Sequence, residues 1–131
     1  MNVEMRTWVF VAERFLSPEE AEMAQHELDA FVQGWQSHGT PLEAHAFCFE
    51  RAVLVIAANE ELAKASGCSI DKITHCIQGL GNRLHIDFFN RFKVLVKNDK
   101  GVWEIKRFAN EIISDTIHSN ILTFHDFEQR L

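Results

Sequence analysis

The chain has 131 residues, 47% of them hydrophobic, and a formal net charge of −6. That is enough for one domain with a real core and too little for two ordinary ones. No basic region followed by a long apolar run and a cleavage site opens the sequence, and no apolar segment approaches the roughly 20 residues that span a bilayer, so a cytoplasmic protein with no membrane partner is expected. Three cysteines, Cys48, Cys68 and Cys76, form an odd set without Cys-x-x-Cys spacing, which argues against a disulfide scaffold or a zinc ribbon.

The charge is unevenly placed. Residues 1 to 64 hold 4 basic and 11 acidic groups, whereas residues 65 to 131 hold 9 and 8. Within the second half, Arg91, Lys93, Lys97, Lys100, Lys106 and Arg107 face only Asp99 and Glu104. Duplex nucleic acid calls for a larger basic footprint, so this stretch reads as a solvated strand face and no nucleic-acid partner is expected.

Thr7 to Ala12 is short, aromatic and β-branched, with both alternating sets apolar, as a strand buried on two faces requires. Ser17-Pro18-Glu19-Glu20 supplies an N-cap, a proline at the first helical position and a glutamate three residues after the cap. Ala24, Leu28, Phe31, Val32 and Trp35 then form one apolar stripe, so a first helix is predicted from Pro18 to Gln36. Ser37-His38-Gly39-Thr40-Pro41 is expected to end it, with Gly39 as a C-cap glycine.

Ala44 to Glu50 alternates and Ala52 to Ala58 is apolar throughout, which predicts a hairpin turning near Glu50 and Arg51. Ile70, Ile73, Ile77, Leu80 and Leu84 fall at helical spacing. They predict a second helix capped by Ser69, with Asp71 in its first turn and with Gly79 and Gly81 thinning it for close packing. Phe92 to Lys97 and Val102 to Lys106 read as another hairpin around Asn98-Asp99-Lys100-Gly101. Arg107 to Ile117 has Phe108, Ile112, Ile113 and Ile117 at mixed helical spacing, and Ile121 to Phe124 reads as a last strand.

The order β-α-β-β-α-β predicts an α+β chain, a two-layer α/β sandwich of the ferredoxin-like type, with an additional C-terminal strand or helix segment and residues 1 to 131 in a single domain. The two strands that are apolar on both faces are those this topology places in the middle of the sheet. Their second face must be covered, by the segment from Phe108 onward, by a second subunit in a homodimer, or by both.

The same topology brings the end of helix one, the start of helix two and the Asn98–Gly101 turn to one end of the sheet. The candidate rim is Trp35, His38, Ser66, Gly67, Cys68, Ser69 and Asp71. A thiol at a helix start beside a histidine suits a nucleophile, with Cys68 and His38 as the catalytic pair. The competing reading is a turn cysteine beside a histidine that caps helix one. Trp35, Ser66, Gly67, Ser69 and Asp71 would line a seat for a small molecule or an anion at the amides of helix two, and the competing reading is a self-capped helix start. Cys48 and Cys76 read as packing residues. The scattered histidines give no metal-ligand spacing, and neither metal nor cofactor is expected.

Trp35-Gln36-Ser37-His38-Gly39, Ala65-Ser66-Gly67-Cys68-Ser69-Ile70-Asp71-Lys72 and Ile86-Asp87-Phe88-Phe89-Asn90-Arg91 together resemble a small bacterial family of uncharacterised proteins often labelled as ABC-transporter ATPases. The resemblance covers most of residues 7 to 97. The residues do not carry the label, since there is no Gly-x-x-x-x-Gly-Lys-Ser/Thr loop to wrap phosphates and no strand ending in the aspartate that would hold magnesium. Two function classes follow. A non-enzymatic binding or assembly module with its site near helix two ranks first, and a thiol-dependent enzyme using Cys68 with His38 second.

Overall fold

The computed structural model describes residues 5–61, 63–107, 116–118 and 120–123. Along the chain lie β1 (Arg6–Val11), α1 (Pro18–Gly34), β2 (Gln36–Ser37), β3 (Thr40–Pro41), β4 (Glu43–Phe49), β5 (Val53–Asn59), α2 (Gly67–Leu84), β6 (Lys93–Lys97), β7 (Trp103–Arg107), β8 (Thr116–His118) and β9 (Asn120–Thr123). Helices and antiparallel sheets are mixed, an α+β arrangement. Of the stretch with helical spacing, Arg107 to Ile117, residues 108–115 fall outside the described residues, and its described ends, Arg107 and Thr116–Ile117, lie in strands.

Four strands form the main sheet in the order β4-β5-β1-β9, with β5 and β1 central. Arg6 pairs with Ala58 on one side and with Thr123 on the other, both antiparallel. The ferredoxin-like order would set the fourth predicted strand, Phe92 to Lys97, beside β1, and Asn120–Thr123 takes that place instead. The hairpin β6–β7 leaves the main sheet and, with β8, makes a second sheet in the order β7-β6-β8. Alternation in a strand records that one face is buried, and a covering sheet satisfies that requirement as well as membership of the first sheet does.

Alternate residues of the central strands divide between two cores. Trp8, Ala12, Leu54, Ile56 and Ala58 pack under Ala24 and Leu28 of α1 and Ile73, Ile77 and Leu80 of α2. Val9, Val11, Val53 and Val55 pack on the other face against Leu95 of β6 and Ile117 of β8, with Trp103 and Ile105 of β7 at the margin. The molecule thus has a helix layer, a main sheet and a second sheet, one layer more than the sandwich expected. Among the described residues the cover over the far face comes from the β6–β7 hairpin and from Ile117 of the C-terminal segment.

Helix α1 starts as its sequence demands. The Ser17 hydroxyl accepts from the Glu20 amide at 3.1 Å and the Glu20 carboxylate accepts from the Ser17 amide at 2.9 Å, which satisfies two otherwise orphaned donors. The helix ends at Gly34, earlier than expected. Ser37 to Pro41 belongs to a small hairpin, β2–β3, in which Gln36 pairs with Pro41 and Ser37 with Thr40. His38 (φ 51) and Gly39 (φ 83) form its two-residue turn, so the glycine serves a left-handed hairpin position rather than a helix cap.

The N-cap of helix α2 lies three residues before the predicted one. Ser66 is the N-cap, and its hydroxyl accepts from the Ser69 amide. This moves Ser69 into the first turn and Asp71 beyond it. At the other end His85 adopts a left-handed conformation (φ 56) and closes the helix. Of the two glycines expected to thin the helix, only Gly81 marks a close approach, since a Cβ there would stand 2.6 Å from the Ile86 carbonyl oxygen, whereas one at Gly79 would meet only the tip of Arg83 at 3.9 Å.

Candidate functional site

The start of α2 and the end of α1 are joined as expected. The Trp35 indole N–H donates to the Ser69 carbonyl oxygen at 2.9 Å, and the Ser69 hydroxyl donates to the Gln36 carbonyl oxygen at 2.9 Å. The Ser66 and Ser69 hydroxyls lie 2.8 Å apart. Trp35 is buried, edge-on to Trp8 at 5.7 Å and tilted against Phe31 at 5.4 Å. Trp35 and Ser69 are therefore core residues, and the polar groups of Trp35, Ser66 and Ser69 bond to one another and to the backbone. Gly67, Cys68, Asp71 and His38 are exposed at this same end, His38 on the turn that follows Gln36. The Asn98–Gly101 turn is not with them. Trp103 at its base stacks edge-on on Phe49 at 5.5 Å, beside the β4–β5 turn at the opposite end of the main sheet, because its hairpin lies in the second layer.

The three cysteines differ in environment. Burial pushes the Cys48 thiol up to about 11. Burial, and then the Glu27 carboxylate, raises that of Cys76. Cys68 is exposed in the first turn of α2. Only Cys68 is placed for chemistry with a solute, since a thiol acts as a thiolate.

A different feature lies at the far end of α2. An open recess of about 390 Å³ is lined by Gln78, Gly81, Asn82, His85, Ile86, Asp87, Phe88 and Phe89. Its wall is built by the way the helix stops. After the left-handed His85, the Ile86 amide donates to the Gly81 carbonyl oxygen at 3.0 Å, a fold-back that the missing Cβ of Gly81 permits. Asp87 Oδ1 accepts from the Phe89 amide at 2.8 Å, and the Asp87 amide donates to Glu13 Oε1 at 3.0 Å. The Arg14 guanidinium, paired through two 2.9 Å contacts with Glu20, reaches the Leu84 carbonyl oxygen at 3.3 Å. These bonds hold the loop after α2 to the loop before α1. Phe89 packs edge-on to Phe10 at 5.7 Å yet is 40% exposed.

The recess leaves a weak mark on the sequence. The small, polar Ser-Gly-Cys-Ser run at the other end of α2 is more conspicuous, and Ile86 to Arg91 stand out only in the family resemblance. Asp87, two residues before an amide it bonds, was the local signal of a shaped loop.

Among the described residues no group of three or more His, Cys, Asp or Glu side chains is arranged to hold a metal ion, and no helix is long and apolar enough to cross a membrane. No protein-family model, curated protein or solved structure matches the chain.

Proposed function

We propose that the protein is a non-enzymatic binding module that seats a small molecule in the recess at the C-terminal end of α2. The recess itself carries the reading. Its volume of about 390 Å³ falls within the range of small-ligand sites, and its wall mixes aromatic surface with a few polar groups that can orient a ligand. The Asp87 carboxylate and the neighbouring Glu13 favour positive charge there, while the helix end itself is already met by Arg14, whose own charge is paired with Glu20. The exposed ring of Phe89 offers an apolar face that also attracts cations. The ligand class is a small protonated amine with a flat apolar part.

An anion seat at the start of α2 is the weaker reading, because the hydroxyls that would serve it already bond to each other. The thiol-enzyme reading is supported by the exposure of Cys68 and its place at the same end as His38. The path β1-α1-β4-β5-α2-β9, with strand order β4-β5-β1-β9, is in keeping with a ferredoxin-like unit into which β6 to β8 are inserted ahead of the last strand. Kinship with the small bacterial family rests on the three motifs quoted above.

The test is an amide chemical-shift titration of the ¹⁵N-labelled protein with benzylamine and, separately, benzoate. Benzylamine is expected to move the amides of Asn82, His85, Asp87 and Phe89. Shifts confined to Gly67–Ser69 with benzoate, or no shifts with either probe, would overturn the assignment.

A further inference from the structure

Strand β4 forms one edge of the main sheet, and its outer side is occupied by a side chain. Gln25 of α1 accepts from the Cys48 amide through Oε1 at 2.9 Å and donates from Nε2 to the Ala46 carbonyl oxygen at 2.9 Å. The second Nε2 hydrogen goes to Asp29 Oδ1, also at 2.9 Å. Only one orientation of the amide satisfies all three partners, since the carboxylate and the carbonyl can only accept and the peptide N–H can only donate.

The pattern has a specific meaning in sheet geometry. A residue in a parallel neighbouring strand bonds the carbonyl before, and the amide after, the residue it faces. Gln25 makes that pair of bonds around Phe47. We infer that Gln25 is a strand mimic which closes the β4 edge against a second copy of this chain.

The edge would otherwise invite self-pairing. Ala46 and Cys48 turn their bonding groups away from β5, so by the alternation of a strand Ala44 does the same. Glu43-Ala44-His45-Ala46-Phe47-Cys48-Phe49 carries one acidic residue, no basic Lys or Arg, no glycine and no proline, and natural edges of such composition are usually protected. Antiparallel pairing of two copies centred on Ala46 would set Ala44 against Cys48 and Glu43 against Phe49. It would oppose no like charges and bring outward groups face to face. Gln25 occupies the middle of that register.

The experiment compares the native chain with Gln25→Ala and with Gln25→Met, which keeps the length and apolar stem of the side chain but removes its amide. Light scattering after size exclusion reads the mass over a concentration series, and hydrogen exchange reads single amides. The native chain is expected to show no concentration-dependent protection of the Ala44 and Ala46 amides. In both variants at low concentration the Cys48 amide should exchange about tenfold faster or more, as an opened local bond does. At high concentration they should gain mass and protect Ala44 and Ala46. Adding His45→Glu, which places a charge on the pairing surface, should return them to monomers. Folded variants that stay monomeric throughout, or a native chain that already protects Ala44 and Ala46 as concentration rises, would overturn the inference.

Discussion

The indole N–H of Trp35 reaches the carbonyl oxygen of Ser69 at 2.9 Å, across the junction of the two helices. Its edge-on neighbour Trp8 is equally buried, yet its indole N–H has no acceptor among the described residues. The two tryptophans form a natural control pair. Trp35→Phe loses volume and a buried hydrogen bond and is expected to cost about 2–4 kcal/mol. Trp8→Phe loses similar volume but removes an unpaired donor whose burial costs about 1–3 kcal/mol, so its net cost should be clearly smaller. Urea unfolding of both variants checks the difference, and equal losses would contradict it.

Gly79 and Gly81 should respond in opposite directions to the same substitution. Gly79→Ala fills open space and gains helix propensity of about 1 kcal/mol. Gly81→Ala drives a methyl into the Ile86 carbonyl oxygen, 2.6 Å away, and the required backbone shift should cost about 1–3 kcal/mol. Thermal melts of the two variants give the signs, and the Gly81 variant should also deform the recess beside it.

Acid should weaken the junction between Arg14 and the start of α1. The Arg14 guanidinium, and next the Ser17 amide, hold the Glu20 carboxyl at about 2, against an ordinary value of 4.5. A carboxyl whose folded value is depressed contributes fully above its unfolded value and loses that contribution as pH falls towards the folded one. The loss should therefore fall between pH 4.5 and 2, be shallower in Arg14→Gln, and be reduced by salt because both side chains are partly in water. Melting midpoints across that range test it.

Alkylation should separate the cysteines. Cys68 is exposed, whereas burial raises the thiols of Cys48 and Cys76, so Cys68 should react first in the folded protein at pH 8, read by peptide mass spectrometry. His38→Ala then decides between the two functional readings. A Cys68 whose rate and pH profile ignore His38 leaves an exposed helix-start cysteine, and one that slows markedly supports thiol chemistry.

The β4–β5 turn offers a gain in stability. Glu50 (φ 52) and Arg51 (φ 53) both sit in the left-handed region, which costs residues with a Cβ about 1–2 kcal/mol each. Glu50→Asn should stabilise the fold by about 0.5–1 kcal/mol, since asparagine tolerates this region. Arg51 is the poorer target because its guanidinium donates to the Leu16 carbonyl oxygen at 3.1 Å. Chemical unfolding of Glu50→Asn measures the effect.

Local chemistry was legible where it decides the structure. The Ser17 box, the alternation of β4, the apolar run of β5 and the stripe of α2 each name one element from its own short stretch of chain. The choice of Asn120–Thr123 over Lys93–Lys97 as neighbour of β1 was not legible, because both are short apolar strands and only the packing of a whole second sheet distinguishes them. Ser66 and Ser69 are equally good caps by type. The selection depends on the Gln36 carbonyl, which takes the Ser69 hydroxyl and belongs to a hairpin more than thirty positions away. The candidate rim followed from topology, and the structure does bring its two loops together. The recess did not follow, since it depends on a histidine taking a left-handed helix end where glycine is usual.

Strands β8 and β9 are separated by a single residue and belong to different sheets, β8 beside β6 and β9 beside β1. One short length of chain therefore finishes both layers. As the polypeptide emerges from the ribosome, β1, β4 and β5 precede β9 and can form a three-stranded platform, but the flank of β1 that meets Thr123 waits until more than a hundred further residues have been made. Pairings between such distant positions form slowly and leave strand edges exposed in the meantime. A nascent chain stalled before Thr116 would carry two unfinished sheets, making it a substrate for chaperones that bind unpaired strands.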